Sequence, residues 1–584
     1  MTITVDVQPN AARIAGLDPL ALNDLLMEAP EPPPPGFGAL RPVTSNLLYL
    51  FERLPGAFFD DPGGLLMQAR AHRFIERLHR EEPGDYERDW PFKVTPLPYQ
   101  LKVFTVARKL QHFALAPTAP GTGKSKMVID IAADKFMRGE IDCVAVICSP
   151  RGVARQWVNR AIPEHITDKV RWSADFWRAT KKHYDVAYPN TKVLRWMTFP
   201  IEAFSGTTGA AAAALTAFMQ SGRCLLVEDE SSRIKDPKAK RTKALIGEWK
   251  RGKHVPGLAE MATCRAILTG TPITKGIEDL WAQYEFVDPL ILGMSNYKAF
   301  EARYCVLVPA FWRAPAWQTK VAGYRNTEEF IRKIAPVTFV VPKDVLGLPP
   351  KSYETIPVEL TKEQRAAYKV LHKGTVEALR DMGIANPKIA MTKLTRLQQL
   401  LCGRIYAPGE TLEEPPVLKS IPSNRISTLT QYIDDNARDR PTIVWSRFTA
   451  DIEEIAAALR KMGRNPVTYY GGTDDDARDA AVEAIRRGVA TDFVANPACA
   501  GMGIDGLQET VELAIYYTNS FNREHRWQSE DRIHRLGMCG TALYADMVAP
   551  GTVDELPLAA FKTTADLIQS LMDRPEMIPY LNED

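Results

Sequence analysis

The sequence predicts an α/β protein made of two parallel-sheet lobes, a helical insert between them and a small N-terminal accessory region. Three observations carry this prediction. From Leu97 onward, short apolar runs alternate with amphipathic stretches: VAVIC (144–148), CLLV (224–227) and RAIL (265–268). The same alternation resumes with TIVW (442–445), VTYY (467–470), DFVAN (492–496) and LAIYY (513–517). Between them, residues 296–395 lose the rhythm and hold a polar helical run, TKEQRAAYKVLHKGTVEALRDM. The expected boundaries are 1–92 for the accessory region and 93–295 for the first lobe. The insert and crossover take 296–395, and the second lobe takes 396–584.

Bulk properties agree with this division. A chain of 584 residues exceeds one compact core. At 45% hydrophobic and 25% charged residues it has a globular composition, which excludes a disordered class. Lys and Arg number 73 against 71 for Asp and Glu, so any basic surface must be local. The eight cysteines form no C-x-x-C pair, which disfavours zinc and a disulfide framework and suits a reducing cytosol. The first residues, MTITVDVQPN, lack a basic region followed by an apolar one, so no secretory signal is expected. No apolar run reaches the length of a membrane span, and no membrane partner is expected. PEPPPPGFG (30–38) has the composition of a stiff linker, followed to Trp90 by a mixed, mainly helical region.

The stretch TAPGTGKS (118–125) matches a phosphate-binding loop, G-x-x-x-x-G-K-[ST], except that Thr118 stands at the first glycine. Gly121 and Gly123 would bend the backbone so that several N–H groups face a phosphate, with Thr122 between them as part of the binding loop. Lys124 would reach the β- and γ-phosphates, and Ser125 would hold Mg²⁺. The following KMVIDIAADKF has helical spacing, so a helix N-terminus would aim its positive end at the anion.

An Asp-Glu pair, Asp229 and Glu230, closes the apolar run CLLVED. Alone it would suit an acidic strand-end turn. If VAVIC and CLLV share a sheet, the pair lies at a carboxyl end beside the loop. Asp229 would then hold Mg²⁺ through its water shell, and Glu230 would orient the attacking water. In the second lobe, QSEDRIHRLGM (528–538) places Arg532 and Arg535 three apart, on one face if helical, with Gln528 a turn earlier. Such arginines suit the γ-phosphate charge of a transition state. AGMGID (500–505) lies between two strands and reads as a tight loop.

Taken together, these segments resemble the Swi/Snf-like branch of the superfamily 2 nucleic-acid-dependent ATPases over roughly residues 95–560. LPYQLKVF (97–104) is similar to the opening motif, which puts Gln100 at the adenine; GTGKS is similar to motif I. VICSPRGVARQW (146–157) resembles motif Ia, and DESSRIKDPKAKRTKAL resembles motif II. The most specific stretch, RAILTGTPITKGIEDLWAQYEFVDPLILG (265–293), resembles the motif III region. DVLGLPPK (344–351) is similar to the crossover, IVWSRFTADIEEIAAAL (443–459) to motif IV and YYGGT (469–473) to the strand and turn after it. AGMGID and QSEDRIHRLG resemble motifs V and VI, and APGTVDE (549–555) resembles the segment closing the second lobe. Motif II departs from the usual DEAH, with Ser231 and Ser232 after the glutamate. Its DESSRIK form and the compact size are similar to phage and bacterial members.

The resemblance implies two RecA-like lobes with ATP and Mg²⁺ between them. Lys124, Asp229, Glu230, Arg532 and Arg535 would carry hydrolysis. Gln528, with Gly503 and Asp505 of motif V, would complete the nucleotide site. Thr269 and Thr271 would couple it to a nucleic-acid groove, where Arg151, Thr198 and Arg447 are the candidate contacts. The implied function is an ATP-dependent translocase on double-stranded DNA in the cytoplasm of a bacterial or phage-infected cell. A strand-separating DNA or RNA helicase is the nearest alternative. An ATP-gated scaffold with little turnover is the alternative of another class. Protein partners, the direction of movement and the process served stay open.

Overall fold

The computed structural model describes the backbone of residues 4–8, 11–15, 39–40, 58–60, 81–149, 151–181, 184, 192–206, 208–250, 253–274, 276–294, 296–309, 319–381, 387–407, 417–500, 504 and 506–562. Near the N-terminus, 4–8, 11–15, 39–40 and 58–60 form a four-stranded sheet. Of the expected helical region before Trp90, the described part holds two of these strands and the short helix Asp85–Asp89; the linker at 30–38 lies outside the described residues.

Strand β1 is His112–Thr118, β2 Cys143–Cys148, β3 Trp172–Phe176, β4 Leu194–Pro200, β5 Cys224–Asp229, β6 Cys264–Leu268 and β7 Thr338–Val341. They form one parallel sheet in the order β7-β1-β6-β5-β2-β4-β3. The two faces of the sheet are both buried, as an all-parallel sheet requires. In β5, Leu225 and Val227 enter one core with Val144 and Val146, while Leu226 enters the other with Ala145 and Ile147. Each such side chain contributes about 1.5–3 kcal/mol on burial. The order sets the chemistry: β1, β6 and β5 are consecutive neighbours, so the loops leaving their carboxyl ends stand side by side.

The second lobe holds β8 (Ser352–Pro357), β9 (Thr442–Trp445), β10 (Pro466–Tyr469), β11 (Asp492–Ala495), β12 (Leu513–Tyr516) and β13 (Leu543–Val548). These strands form a second parallel sheet, β8-β13-β12-β9-β11-β10. Two α/β lobes are therefore present as expected. The segment expected as a helical insert is more divided. It supplies an edge strand to each lobe, β7 and β8, and an antiparallel hairpin, Cys305–Pro309 with Thr319–Tyr324. Its helices are Tyr297–Tyr304, Thr327–Ile334 and Lys362–Asp381, with Pro387–Leu401 running on into the second lobe. Among the described residues no helix is long and apolar enough to cross a membrane.

One buried ion pair closes the second lobe. Arg425 donates from Nη1 to Asp554 at 2.7 Å, from Nε to the Tyr517 carbonyl at 2.9 Å and from Nη2 to the Met547 carbonyl at 2.8 Å. Removing one partner strands the other charge in the core. Arg425→Ala is expected to destabilise this lobe by about 3–5 kcal/mol, read as a lower midpoint in urea unfolding. An unchanged midpoint would remove this pair from the account of how the lobe is held together.

Candidate functional site

The loop after β1 begins with Thr118, and the structure explains why no glycine is needed there. Thr118 is the last residue of an extended strand, fully buried, and its hydroxyl donates to the Phe339 carbonyl of β7 at 3.0 Å. The left-handed backbone falls instead on Gly121 and Gly123, with φ of 83° and 82°. Thr122 is buried, its hydroxyl donating to the Ala119 carbonyl at 2.7 Å. Helix α1, Lys124–Met137, starts immediately after Gly123, so its first N–H groups face the loop. Lys124 Nζ donates to the Thr118 carbonyl at 2.8 Å. Burial pushes its ammonium pKa down, while Glu230 and Asp229 pull it back up. Gln100 lies beneath the loop. Its Nε2 donates to the Thr122 carbonyl at 2.9 Å and its Oε1 accepts from Leu97 N at 3.0 Å, so backbone groups engage both ends of the amide. A Cβ on Gly123 would lie 2.5 Å from that Nε2, which fixes glycine at this position.

Asp229 ends β5, one strand from the loop-bearing β1 across β6. Its face is that of Val227, and there the Trp157 indole N–H donates to Oδ2 at 2.8 Å. Burial raises its pKa to about 6, and the Trp157 bond offsets part of that rise. Trp157 itself begins a π-helical turn, Trp157–Ala161, and stacks on Trp196. Such widened turns place side chains that a regular helix could not. Glu230 follows in a left-handed conformation, φ 69°, which costs a non-glycine residue about 1–3 kcal/mol and requires support. That support is local. Glu230 N donates to the Leu268 carbonyl at 2.8 Å, and its Oε1 accepts from Ser232 and Thr269 hydroxyls, each at 3.2 Å. Thr271 N in turn donates to Thr269 Oγ1 at 3.1 Å.

The second lobe reaches the same place. Helix α2, Arg523–Glu530, ends before the two arginines, so Arg532 and Arg535 do not share a helix face as expected. Successive turns present them instead, because Asp531 caps the helix and the chain then winds through Gly537 at φ 81°. Arg532 donates to the carbonyls of Gln528 at 3.1 Å and Ile504 at 2.5 Å. Arg535 lies directly on the loop: a Cβ on Gly121 would sit 2.8 Å from Arg535 Cβ. Gln528 donates to Glu524, and its buried Oε1 has no partner among the described residues. Gly121, Gly123, Lys124, Ser125, Asp229, Glu230, Thr271, Gln528, Arg532 and Arg535 thus line one cleft of about 380 Å³ between the lobes. Ser125 and Asp229 offer it a hydroxyl and a carboxylate, the oxygen donors that suit Mg²⁺. Ion pairs hold the lobes together beside the cleft, Arg155 with Asp476 and Asp479, and Lys343 with Asp531.

Some expected residues are elsewhere. Thr198 is not available as a nucleic-acid contact: it is fully buried in β4, and its hydroxyl donates to the Ala154 carbonyl at 2.9 Å. Arg447 is half-buried against Phe448 and Phe521 and donates to Gln398 at 2.9 Å. Arg151 begins the helix Arg151–Gln156, and its side chain lies outside the described residues, as do Gly503 and Asp505. Sequence reasoning missed Trp157 and Gln283. A tryptophan after an amphipathic run reads as core, and nothing in the sequence marks its N–H as a partner for Asp229. Gln283 gave a weak signal, a polar residue on the apolar side of LWAQYEFV.

Comparison with known proteins finds two family models along the chain. The SNF2-related domain matches residues 216–404 and the Helicase conserved C-terminal domain matches 424–537. An ISWI chromatin-remodeling complex ATPase of Arabidopsis thaliana is 24% identical over 285 residues, 47% of this chain and 25% of that protein. A putative ATP-dependent helicase/translocase of Bacillus subtilis is 22% identical over 333 residues, 56% of this chain and 33% of that protein. The chain therefore spans only about a quarter to a third of the length of these relatives. Among solved structures, the Sulfolobus solfataricus SWI2/SNF2 ATPase core in complex with dsDNA aligns at 18% identity and a TM-score of 0.34, over 86% of this chain and 99% of that one.

Proposed function

We propose that this chain, which belongs to the Swi/Snf-like branch of the superfamily 2 nucleic-acid-dependent ATPases, hydrolyses ATP to move along duplex DNA. The observation that carries the proposal is the single cleft holding the glycine loop, the Asp229–Glu230 pair and the two arginines of the other lobe. In this reading the N–H groups at Gly121–Lys124 bind the phosphates, and the Lys124 ammonium neutralises their charge. Asp229 and Ser125 would hold Mg²⁺, which supplies charge neutralisation at the transferring phosphoryl group. Glu230 orients the attacking water. Arg532 and Arg535 place positive charge where it develops in the transition state, a contribution of about 10³–10⁵ in rate for such arginines. Gln100 braces the loop from below, and Thr269 and Thr271 link Glu230 to the loop that follows β6.

Movement follows from where the charges sit. Arg532 and Arg535 belong to one lobe and the loop to the other, so bound nucleotide favours closure and hydrolysis removes the reason for it. Grip on nucleic acid would come from phosphate contacts without base readout. Translocation along the duplex is the reading proposed, with strand separation as its alternative; the name of one relative, helicase/translocase, covers both.

The test is steady-state ATP hydrolysis with no nucleic acid, duplex DNA, single-stranded DNA and RNA in parallel. The expected outcome is strong stimulation by duplex DNA. Stimulation chiefly by a single strand or RNA would replace the proposal with a helicase. No turnover under any condition would replace it with a nucleotide-gated scaffold.

A further inference from the structure

A glutamine is buried where an apolar residue would be expected. Gln283 lies in the helix Trp281–Val287, between Ala282 and Tyr284 of the first lobe's core, and is fully excluded from solvent. An unpaired amide there would be costly to bury, so its bonds explain its presence. Its Oε1 accepts from the Ser231 hydroxyl at 2.7 Å. Its Nε2 donates to the Pro272 carbonyl at 2.7 Å and to the Asp279 carbonyl at 2.8 Å. One side chain therefore ties the residue after Glu230 to the loop that carries Thr269 and Thr271.

A second bridge runs parallel to the first. Lys235 donates to Thr274 Oγ1 at 2.6 Å, and Thr274 donates from both N and Oγ1 to the Asp279 carboxylate at 2.8 Å. The turn after β5 and the loop after β6 are thus joined twice through the helical segment 277–287. The turn is also the strained one. Glu230 holds φ 69°, a conformation that persists only while its surroundings over-determine it. Ser232 and Thr269 fix its carboxylate, and Gln283 holds the hydroxyl of the next residue, Ser231.

We propose that Gln283 is a positioning residue for hydrolysis: through Ser231 it holds the strained Glu230 turn in register with the Thr269–Pro272 loop, so that the two shift as one unit. This rests on the reading of Glu230 as the residue that orients water. It assigns to a serine–glutamine pair the link between the acidic turn and its neighbouring loop.

The experiment compares Ser231→Ala, Gln283→Met, the double variant and Glu230→Gln in the full chain, with duplex DNA. Methionine conserves volume and removes the polar bonds. Binding of a fluorescent ATP analogue gives the fraction of competent sites, and kcat is normalised to it, so that partial misfolding does not enter. The expected result is a fall in normalised kcat of about tenfold or more for each single variant, with unchanged analogue affinity. The double variant should be no worse than the more damaged single variant, as for residues acting as one unit. Wild-type normalised kcat in both single variants, or losses that multiply in the double, would overturn the proposal. Glu230→Gln separates the two readings. Retained turnover in that variant would sink the role of Glu230 itself, whereas an inactive Glu230→Gln beside fully active Ser231 and Gln283 variants would sink this inference alone.

Discussion

Lys124→Ala is expected to lower steady-state ATP hydrolysis by roughly 10³-fold or more. The reason is geometric and electrostatic. Lys124 Nζ is held at the Thr118 carbonyl within the loop, and the two nearby carboxylates, Glu230 and Asp229, favour its charged form against burial. Alanine removes the only cation contributed by the loop between Thr118 and Ser125. It leaves Asp229 and Glu230 beside the phosphates without the loop's own cation. A coupled assay of ADP release with saturating duplex DNA measures this, and circular dichroism checks that the lobes stay folded. Normal turnover in the variant would move the nucleotide away from this cleft.

The second large effect belongs to the other lobe. Arg535→Ala is expected to lower kcat by about 10³–10⁵ while the analogue still binds, because the loop and its helix remain intact. Arg535 reaches the loop only because Gly121 leaves room for it, so its contribution depends on closure of the cleft. Lysine should not rescue it, since an ammonium cannot reproduce the planar fork of the guanidinium. The decisive comparison is kcat against analogue affinity. A variant that loses binding and keeps kcat would make Arg535 a binding residue and leave the transition-state charge to Arg532.

Much of this site was legible in the sequence because phosphate chemistry restricts residue types. A turn that needs positive φ declares its glycines, and a strand that ends in carboxylates declares its acids. What the pattern could not display was the supporting structure. Strand β1, HFALAPT, carries a histidine and a proline and does not read as a strand. It becomes one because β6 and β7 pair with it on either side. Thr118 looked like a defect in a glycine motif, and the structure makes it a strand residue bonded to β7. Thr198 failed as a contact for the opposite reason. Its place within the family resemblance implied a nucleic-acid contact, but the helix carrying Ala154 covers it. Arg532 and Arg535 have helical spacing, yet they converge through turns, since periodicity specifies a face only while the helix lasts.

The close approach of Arg535 to Gly121 also acts as a ruler. Because position 121 has no side chain, the lobes can meet at the distance of a single methylene from bare backbone. Any larger residue there would act as a shim, holding the jaws of the cleft ajar by its own thickness. The reach of one glycine thus sets how nearly the two walls of the cleft can touch at this point.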